Sequence, residues 1–319
     1  MITFLDFEKP IAELEAKIRD LRQLALGDEP INVSNEVGQL EGKLDKMLRE
    51  TYKKLTPWQK TQVARHPERP HFQDYVKALV EDFTPLSGDR NFGEDKAFVG
   101  GLGRFKGQPV IVMGHEKGFD TQSRLEHNFG MARPEGYRKA IRLMDMADKF
   151  SLPVISLVDT SGAYPGVGAE ERGQAEAIAR CTEKCLEIEA PIVSCIVGEG
   201  GSGGAVAVAV GNKILMMEHA IYSVISPEGC ASILWRSREK AQDASVALKI
   251  TSENLLKLGV IDDVVPEPVG GSHRDPTQAI QNLGVAIDSS LAELNDIPLK
   301  RLKELRREKF LAMGDASII

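Results

Sequence analysis

Two segments of the chain share one construction, in which an apolar run is followed by a glycine-rich turn and then by a helical stretch. They are VISLVDTSGAYPGVGAEERGQ at 154–174 and IVSCIVGEGGSGGAVAVAV at 192–210. Glycine is needed where backbone turns with a positive φ or approaches a ligand closely. The first N–H groups of the following helix have no partner within it and carry partial positive charge. The pattern predicts two backbone sites that stabilise a negative oxygen, known as oxyanion holes.

The turns lie in a pattern of alternating strands and helices. Pro134 and Glu135 begin one predicted helix, and residues 170–188 form another. Runs that are apolar on both faces and alternate with helices predict an α/β core with a largely parallel sheet. The predicted strands are 97–100, 109–113, 153–158, 191–197, 213–217 and 221–225.

Both ends of the chain have helical patterns. Residues 7–25 and 37–47 place apolar side chains three and four positions apart, with a break at 27–30, which predicts a helical hairpin. Its narrow apolar seam suits contact with a partner chain, and a cap on the main domain is the alternative. Polar helices are expected from 276 to 312, wrapped around the core or a neighbour. The predicted division is a partner-binding helical region at 1–90, a core at 91–270 and a helical extension at 271–319.

The composition is that of a soluble globular protein. Hydrophobic residues make up 42% of the chain, and the net charge of −7 gives no general attraction to nucleic acid or anionic membrane. The chain does not begin with a basic stretch followed by an apolar one. No apolar run approaches the roughly 20 residues of a membrane span. We therefore expect a cytoplasmic protein.

The cysteine and histidine spacings do not predict a metal site. The cysteines at 181, 185, 195 and 230 include no C-x-x-C pair, and His66 and His71 flank prolines rather than forming H-E-x-x-H. Cys181 and Cys185 stand four apart on a predicted helix, a spacing that can bind metal, but two further ligands are lacking nearby. We expect a buried, reduced pair and no metal in this chain.

The second turn also fits a dinucleotide-binding motif. Gly198, Gly200 and Gly203 match G-x-G-x-x-G after a strand, and Glu218 ends the next strand where a ribose-binding acid stands. This interpretation explains only one of the two turns. The following helix is also short and apolar throughout, which is unusual for a helix on the outside of a sheet. A phosphate loop of the Walker type is excluded because no lysine follows the glycines.

A third interpretation is a serine hydrolase. Gly200, Ser202 and Gly204 fit G-x-S-x-G, and Asp262 or Asp263 and then His273 follow in the order of an α/β-hydrolase. Against it, His273 lies in a glycine-flanked polar segment with no strand to fix its position. A simpler alternative is that the glycines only allow close packing of helix and strand.

Long blocks of the sequence resemble the biotin-dependent carboxyltransferases. Over nearly the whole chain they resemble the family of bacterial acetyl-CoA carboxylase alpha subunits. Ser161 is a departure, since we expect proline there in this family. The blocks are LTPWQKTQVARHPERP (55–70), GDRNFGEDKAFVGG (88–101), NFGMARPEGYRKAIRLM (128–144), DTSGAYPGVGAEERGQAEAIAR (159–180), GEGGSGGA (198–205) and YSVISPEGCASILW (222–235).

The resemblance implies a crotonase-like (ClpP/crotonase) core of repeated ββα units. It implies transfer of a carboxyl group from carboxybiotin on the biotin carboxyl carrier protein to acetyl-CoA, which gives malonyl-CoA for fatty acid biosynthesis. It also implies an assembly of two alpha with two beta subunits. The beta subunit, with a zinc ribbon, mainly holds acetyl-CoA, and the alpha subunit mainly receives biotin. This chain alone would then be inactive or nearly so.

The resemblance also assigns roles to residues. The N–H groups of Gly203 and Gly204 would bind the biotin carbonyl, and Gly162 and Ala163 are the matching donors at the first turn. Because the reaction mainly requires stabilised negative oxygen, no catalytic His, Asp or Cys is needed. The residues expected to shape the carboxybiotin pocket are Tyr164, Pro165, Gly166 and Val167.

Other candidates have a simpler alternative role. Ser226, Glu228 and Gly229 would line the cleft or cap a helix. The segment 170–172 would orient the first turn or remain solvated. The basic residues Arg133, Arg138, Lys139 and Arg142 would meet CoA phosphates or lie on a helix face. Two further classes stay open: a crotonase-type hydratase or isomerase that acts on acyl-CoA by itself, which would need a side-chain acid or base, and a non-catalytic scaffold for a partner.

Overall fold

An eight-stranded sheet organises the chain, which the computed structural model describes over residues 3–25 and 33–314. Its strands are β1 (Val80–Pro85), β2 (Phe98–Phe105), β3 (Gln108–His115), β4 (Val154–Thr160), β5 (Ile192–Gly201), β6 (Lys213–Met217), β7 (Ile221–Ser223) and β8 (Asp263–Val265). The order is β1-β2-β3-β4-β5-β6-β8, and β7 pairs with the end of β5. The first two pairings are antiparallel and the others are parallel. The predicted, largely parallel α/β sheet is confirmed.

Helices flank the sheet. In the described part of the chain they are α1 (Lys9–Ala25), α2 (Ser34–Tyr52), α3 (Pro57–Ala64), α4 (Phe72–Leu79), α5 (Thr121–Glu126), α6 (Pro134–Phe150), α7 (Val167–Glu171), α8 (Gln174–Glu187), α9 (Ser202–Ala209), α10 (Pro227–Trp235), α11 (Ala241–Ala247), α12 (Ser252–Lys257), α13 (Pro276–Asn295) and α14 (Leu299–Ala312). No helix among the described residues combines the length and apolar character needed to cross a membrane.

Both faces of the sheet are covered. Gly100 pairs with Met113 across β2 and β3, and a Cβ at Gly100 would lie 2.4 Å from Leu143 of α6. Gly114 is the next residue of β3, and a Cβ there would lie 2.8 Å from Phe72 of α4. Because successive residues of a strand point to opposite faces, α6 and α4 cover opposite sides of the sheet. Every residue of β4 and β5 is buried.

The N-terminal helices α1 and α2 contact each other, as the hairpin prediction requires. The predicted break at 27–30 lies outside the described residues. The buried Glu8 accepts a hydrogen bond from the Tyr52 hydroxyl at 3.0 Å and one from Arg274 at 3.2 Å. The base of the hairpin is therefore tied to the segment that precedes α13.

The six predicted strands are all present, whereas β1 and β8 were not predicted. The helix predicted at 170–188 is divided into α7 and α8 at Gly173, whose φ is +80°. β5 continues to Gly201, through residues that the dinucleotide motif places in a turn. β1 and α13 contact the sheet from outside the range 91–270. The three-part division of the chain stays a prediction.

Candidate active site

The two glycine-rich turns lie against each other. β4 and β5 are parallel neighbours, so both turns emerge at the same edge of the sheet. A Cβ at Gly201 would lie 2.4 Å from the carbonyl carbon of Ser161, and one at Gly204 would lie 2.6 Å from the Ala163 nitrogen. Contact this close between two backbones requires glycine at 201 and 204.

The second turn presents unpaired backbone donors. α9 begins at Ser202, directly after β5, and the positive φ of +56° at Ser202 makes the change of direction abrupt. Within the described residues, the N–H groups of Gly203 and Gly204 donate to no protein acceptor. Gly203 is half-buried and Gly204 is buried. Two N–H groups at a helix start can polarise one oxygen atom of a carbonyl group.

The first turn differs in its hydrogen bonds. Thr160 Oγ1 accepts the Gly162 N–H at 3.1 Å, and the Thr160 hydroxyl donates to the Gly162 carbonyl at 2.8 Å. The Gly162 N–H is thus already paired within the turn. Ala163 is half-buried, and its N–H donates to no acceptor in the described chain. The first turn offers one free donor where the sequence predicted two.

The segment from Tyr164 to Val167 forms a fixed loop with an exposed apolar tip. The Tyr164 N–H donates to the Ala132 carbonyl at 3.0 Å, and its carbonyl accepts a bond from Gln174 at 2.9 Å. The Tyr164 ring lies so close to Gly166 that a Cβ there would be 2.3 Å away. Pro165 is exposed, and Val167 is 74% exposed. The loop can therefore form one wall beside the turns.

Ser226, Glu228 and Gly229 stand at the start of α10. Ser226 Oγ accepts the Gly229 N–H at 3.1 Å. This contact caps the helix, which is the simpler of the two roles considered from the sequence. The Glu228 carboxylate lies 2.6 Å from Arg65, which also contacts Glu199 at 2.6 Å. Burial lowers the pKa of Arg65, but these two carboxylates outweigh it and hold the pKa above its ordinary value. The contacts of Ser226 and Glu228 are those of a structural junction.

The basic residues of the α6 region hold a neighbouring loop. Lys139 is buried and donates to the carbonyls of Asp95 and Phe98 at 2.9 and 2.5 Å. Arg142 donates to the Leu86 carbonyl at 2.9 Å. Arg138 donates to the carbonyl of Arg172 at 2.7 Å. All three side chains donate to backbone carbonyls of this chain. They are therefore neither free to bind a CoA phosphate nor simply exposed on a helix face, which were the two alternatives from the sequence.

The sequence did not reveal a buried charged cluster under the two turns. Asp159 Oδ1 accepts the Glu199 N–H at 2.8 Å and lies 2.6 Å from Lys117 Nζ. His71 Nδ1 lies 3.7 Å from Asp159 Oδ2. Burial raises the pKa of Asp159, but Lys117 and His71 outweigh it and hold the pKa well below the ordinary value. The available signal was an acid at the end of an apolar strand, next to the first turn.

A cavity of about 230 Å³ opens beside this cluster. Ser161 lines it, whereas Gly162, Ala163, Gly203 and Gly204 do not. The four predicted donors therefore do not line this cavity. Its charged and imidazole lining includes Arg65, His71, Lys117, Arg124, Asp159 and Glu199.

The dinucleotide interpretation is wrong on geometry. Gly198 and Gly200 lie within the extended strand β5, so the glycine-rich turn that would approach a pyrophosphate is not formed. A Cβ at Gly198 would lie 2.4 Å from Asp159 Oδ1, which explains that glycine by packing. Glu218, the acid expected to bind a ribose in that interpretation, instead accepts the Glu267 N–H at 3.1 Å.

The residues of the hydrolase interpretation make separate contacts. The His273 ring stacks on His66 with ring centroids 3.8 Å apart. Asp262 accepts the Ile214 N–H at 2.6 Å, and Asp263 accepts the N–H of the following residue. None of these acids or His273 contacts Ser202 in the described chain, so no triad is assembled.

Comparison with solved structures gives the fold first. The chain matches one chain of a Pseudomonas malonate decarboxylase heterotetramer in complex with coenzyme A (TM-score 0.59, 16% identity, 77% of this chain and 93% of that one). It also matches the beta subunit of P. aeruginosa geranyl-CoA carboxylase (TM-score 0.55, 18% identity, 77% and 46%). A transcarboxylase 12S structure matches with TM-score 0.54 at 21% identity, over 67% of this chain and only 41% of that chain. The fold is therefore the crotonase-like fold of carboxyltransferases, as the resemblance implied.

Comparison at the sequence level then gives the family. Residues 4–314 match the model of the acetyl co-enzyme A carboxylase carboxyltransferase-like family, and the chain belongs to it. The acetyl-coenzyme A carboxylase carboxyl transferase subunit alpha of Paramagnetospirillum magneticum is 63% identical over 98% of this chain and 99% of its own length. The protein of the same name from Rhizobium johnstonii is 62% identical over 98% and 99%.

Proposed function

We propose that this chain is the alpha subunit of an acetyl-CoA carboxylase carboxyltransferase. With a beta subunit it transfers the carboxyl group of carboxybiotin, carried on the biotin carboxyl carrier protein, to acetyl-CoA and so forms malonyl-CoA. The observation that carries this proposal is family membership over nearly the full chain, together with the N–H groups of Gly203 and Gly204, which have no protein acceptor in the described residues.

The second turn fits the ureido ring of biotin. The ring has one carbonyl oxygen, and the start of α9 has two adjacent N–H groups with no protein acceptor in the described residues. A Cβ at Gly203 would meet only Ile178, at 3.4 Å, so Gly203 is not pressed against the first turn as Gly204 is. Gly203 and Gly204 would hold the carbonyl, and carboxybiotin would supply the carboxyl group when bound.

The residues of this chain would stabilise negative charge on the bound carbonyl oxygen and hold the biotin ring in position. The two N–H groups bind the carbonyl more strongly as negative charge grows on its oxygen, and one such donor contributes about 3 to 4 kcal/mol in enzymes with oxyanion holes. The loop at 164–167 shapes the wall beside the turns, and its exposed tip would exclude water once a partner covers it. Ala163 provides a further N–H, at the first turn, that has no acceptor in the described chain.

The relatives of this chain are named as subunits, which supports a partner chain. We propose two alpha with two zinc-ribbon beta subunits, with the acetyl-CoA held on beta, in the cytoplasm. The division at 1–90, 91–270 and 271–319, with partner binding at 1–90, belongs to the same proposal. Apolar side chains left exposed within 91–270, among them Val167, Val224, Ile233 and Leu234, support a further partner surface on the core.

Reconstitution tests the proposal. The chain is mixed with a zinc-ribbon beta subunit, and the decarboxylation of malonyl-CoA is followed with free biotin as the acceptor. We expect turnover in the mixture and almost none with either subunit alone. Full activity of this chain without the partner, or an inactive mixture of folded and associated subunits, would overturn the assignment.

A further inference from the structure

β5 contains an irregularity directly before the second turn. β4 and β5 pair regularly up to Val158 and Ile196, and the next pair is Thr160 with Gly200. The three residues 197–199 of β5 therefore lie opposite the single residue Asp159 of β4. A bulge bends the strand that contains it and redirects the chain beyond it. Since α9 begins immediately after β5, the bulge lies just before the start of that helix.

The Asp159 carboxylate fills the bulge. Its Oδ1 accepts the Glu199 N–H at 2.8 Å, which supplies the partner that the interrupted ladder does not. A Cβ at Gly198 would lie 2.4 Å from the same oxygen, so the glycine makes room for the carboxylate. Asp159 is only 3% exposed, and this contact is therefore inside the protein.

Side chains from outside the sheet hold the bulge at two places. Lys117 Nζ lies 2.6 Å from Asp159 and 4.0 Å from the Glu199 carboxylate. On the other side, Arg69 Nε donates to the Val197 carbonyl at 2.7 Å. The first and last residues of the bulge are thus both fixed by charged side chains.

We propose that Asp159, held in place by Lys117, is a positioning residue for the carboxyl transfer. It contacts the bulge rather than the substrate, and it acts by fixing the direction in which the Gly203 and Gly204 N–H groups point. This inference rests on the proposed function.

The test compares two aspartates that accept backbone N–H groups near opposite ends of β5. Asp159→Asn removes the charge at the bulge. Asp148→Asn is the matched control, because Asp148 accepts the N–H groups of Glu189 and Ala190, at 2.8 and 3.2 Å, just before the strand begins. In the reconstituted enzyme we expect Asp159→Asn to lower kcat about 10- to 100-fold. The KM for malonyl-CoA, proposed to bind on the partner, should change less than about twofold, and Asp148→Asn should keep kcat within about twofold.

Two further variants separate the position of the Asp159 carboxylate from its charge, and a loss of kcat from a loss of stability. Asp159→Asn leaves the Lys117 ammonium without its carboxylate, and Lys117→Met combined with Asp159→Asn removes that buried charge. We expect the double variant to regain thermal stability but not kcat. Gly198→Ala keeps both charges and displaces the carboxylate. It should lower kcat to a similar extent, with little additional loss when combined with Asp159→Asn.

The outcomes are distinguishable. An inactive wild-type mixture overturns the proposed function and the positioning role with it. An active wild type with an unimpaired, assembled Asp159→Asn variant overturns only the positioning role. The same holds if Asp148→Asn loses as much kcat as Asp159→Asn, or if the double variant recovers full kcat.

Discussion

The two glycine-rich turns follow equivalent strands but use their backbones differently. Thr160 and Gly200 are partners across β4 and β5, so the first turn has a hydroxyl where the second has none. The hydroxyl accepts the N–H of Gly162, two residues further on, at 3.1 Å. At the second turn the N–H groups of Gly203 and Gly204 stay unpaired in the described residues. A side chain that competes for the backbone thus decides which of two similar turns can bind a ligand oxygen.

The largest expected effect is that of Gly204→Ala. A Cβ there would lie 2.6 Å from the Ala163 nitrogen and 2.7 Å from the Gly162 carbonyl carbon, and backbone cannot yield as a flexible side chain does. The turns must separate, and the Gly204 N–H moves with them. We expect kcat of the reconstituted enzyme to fall about 100- to 1,000-fold, the loss typical of one oxyanion donor.

Gly203→Ala is the matched control for that variant. Its Cβ would contact only Ile178, at 3.4 Å, so we expect kcat to stay within about tenfold. Replacing a glycine in a helix by alanine should also raise the free energy of unfolding by about 1 kcal/mol or less, and the thermal midpoint should rise with it. Equal losses in the two variants would contradict the direct contact between the turns as the cause.

Thr160→Val tests the hydroxyl that distinguishes the turns. It keeps the shape of the side chain but leaves the buried Gly162 N–H without its acceptor, which costs about 1 to 3 kcal/mol of unfolding free energy. The second turn keeps both donors, so we expect kcat to fall no more than about tenfold. Urea unfolding and steady-state kinetics measure the two effects. A loss of kcat as large as that of Gly204→Ala would show that the first turn contributes equally.

Tyr164→Ala removes the side chain that shapes the first loop. The ring lies under the Arg133 guanidinium, 4.9 Å from its centroid, and packs on Gly166. Losing such a contact costs about 1 kcal/mol, so we expect the KM for biotin to rise about fivefold while kcat changes little. Tyr164→Phe keeps the ring and serves as the control. A fall in kcat with an unchanged KM would contradict a role in shaping the pocket.

The sequence was sufficient for the strands that lie inside the sheet, because β4 and β5 are apolar on both faces and end in glycine-rich turns. It was insufficient for β1, whose sequence VEDFTP alternates poorly and lies at an edge of the sheet. β8 has only two apolar residues, Val264 and Val265, between two acids and a proline, which is too short a run to be recognised. In both cases the pairing partner, rather than the local pattern, makes the strand.

The sequence predicted the two turns of the site, but not the difference between their hydrogen bonds. The motif indicated where backbone comes close to a ligand, and the contact of Gly201 and Gly204 with the first turn agrees with it. The role of Thr160 depends on a side-chain rotamer, and that of Asp159 depends on a register shift between strands. Neither leaves a period or spacing in the sequence.

Ser202→Ala has the smallest expected effect and separates the backbone interpretation from the hydrolase. Ser202 has a φ of +56°, a conformation that costs serine and alanine similar amounts, so the turn should keep its shape. Ser202 is half-buried, and its proposed partners His273 and Asp262 are engaged with His66 and Ile214 instead. We expect kcat within about threefold of wild type, whereas removal of a triad serine abolishes nearly all turnover, by about a million-fold in a serine protease. A loss of that size with an intact complex would mean that the side chain at 202, and not the N–H groups after it, performs the chemistry at the second turn.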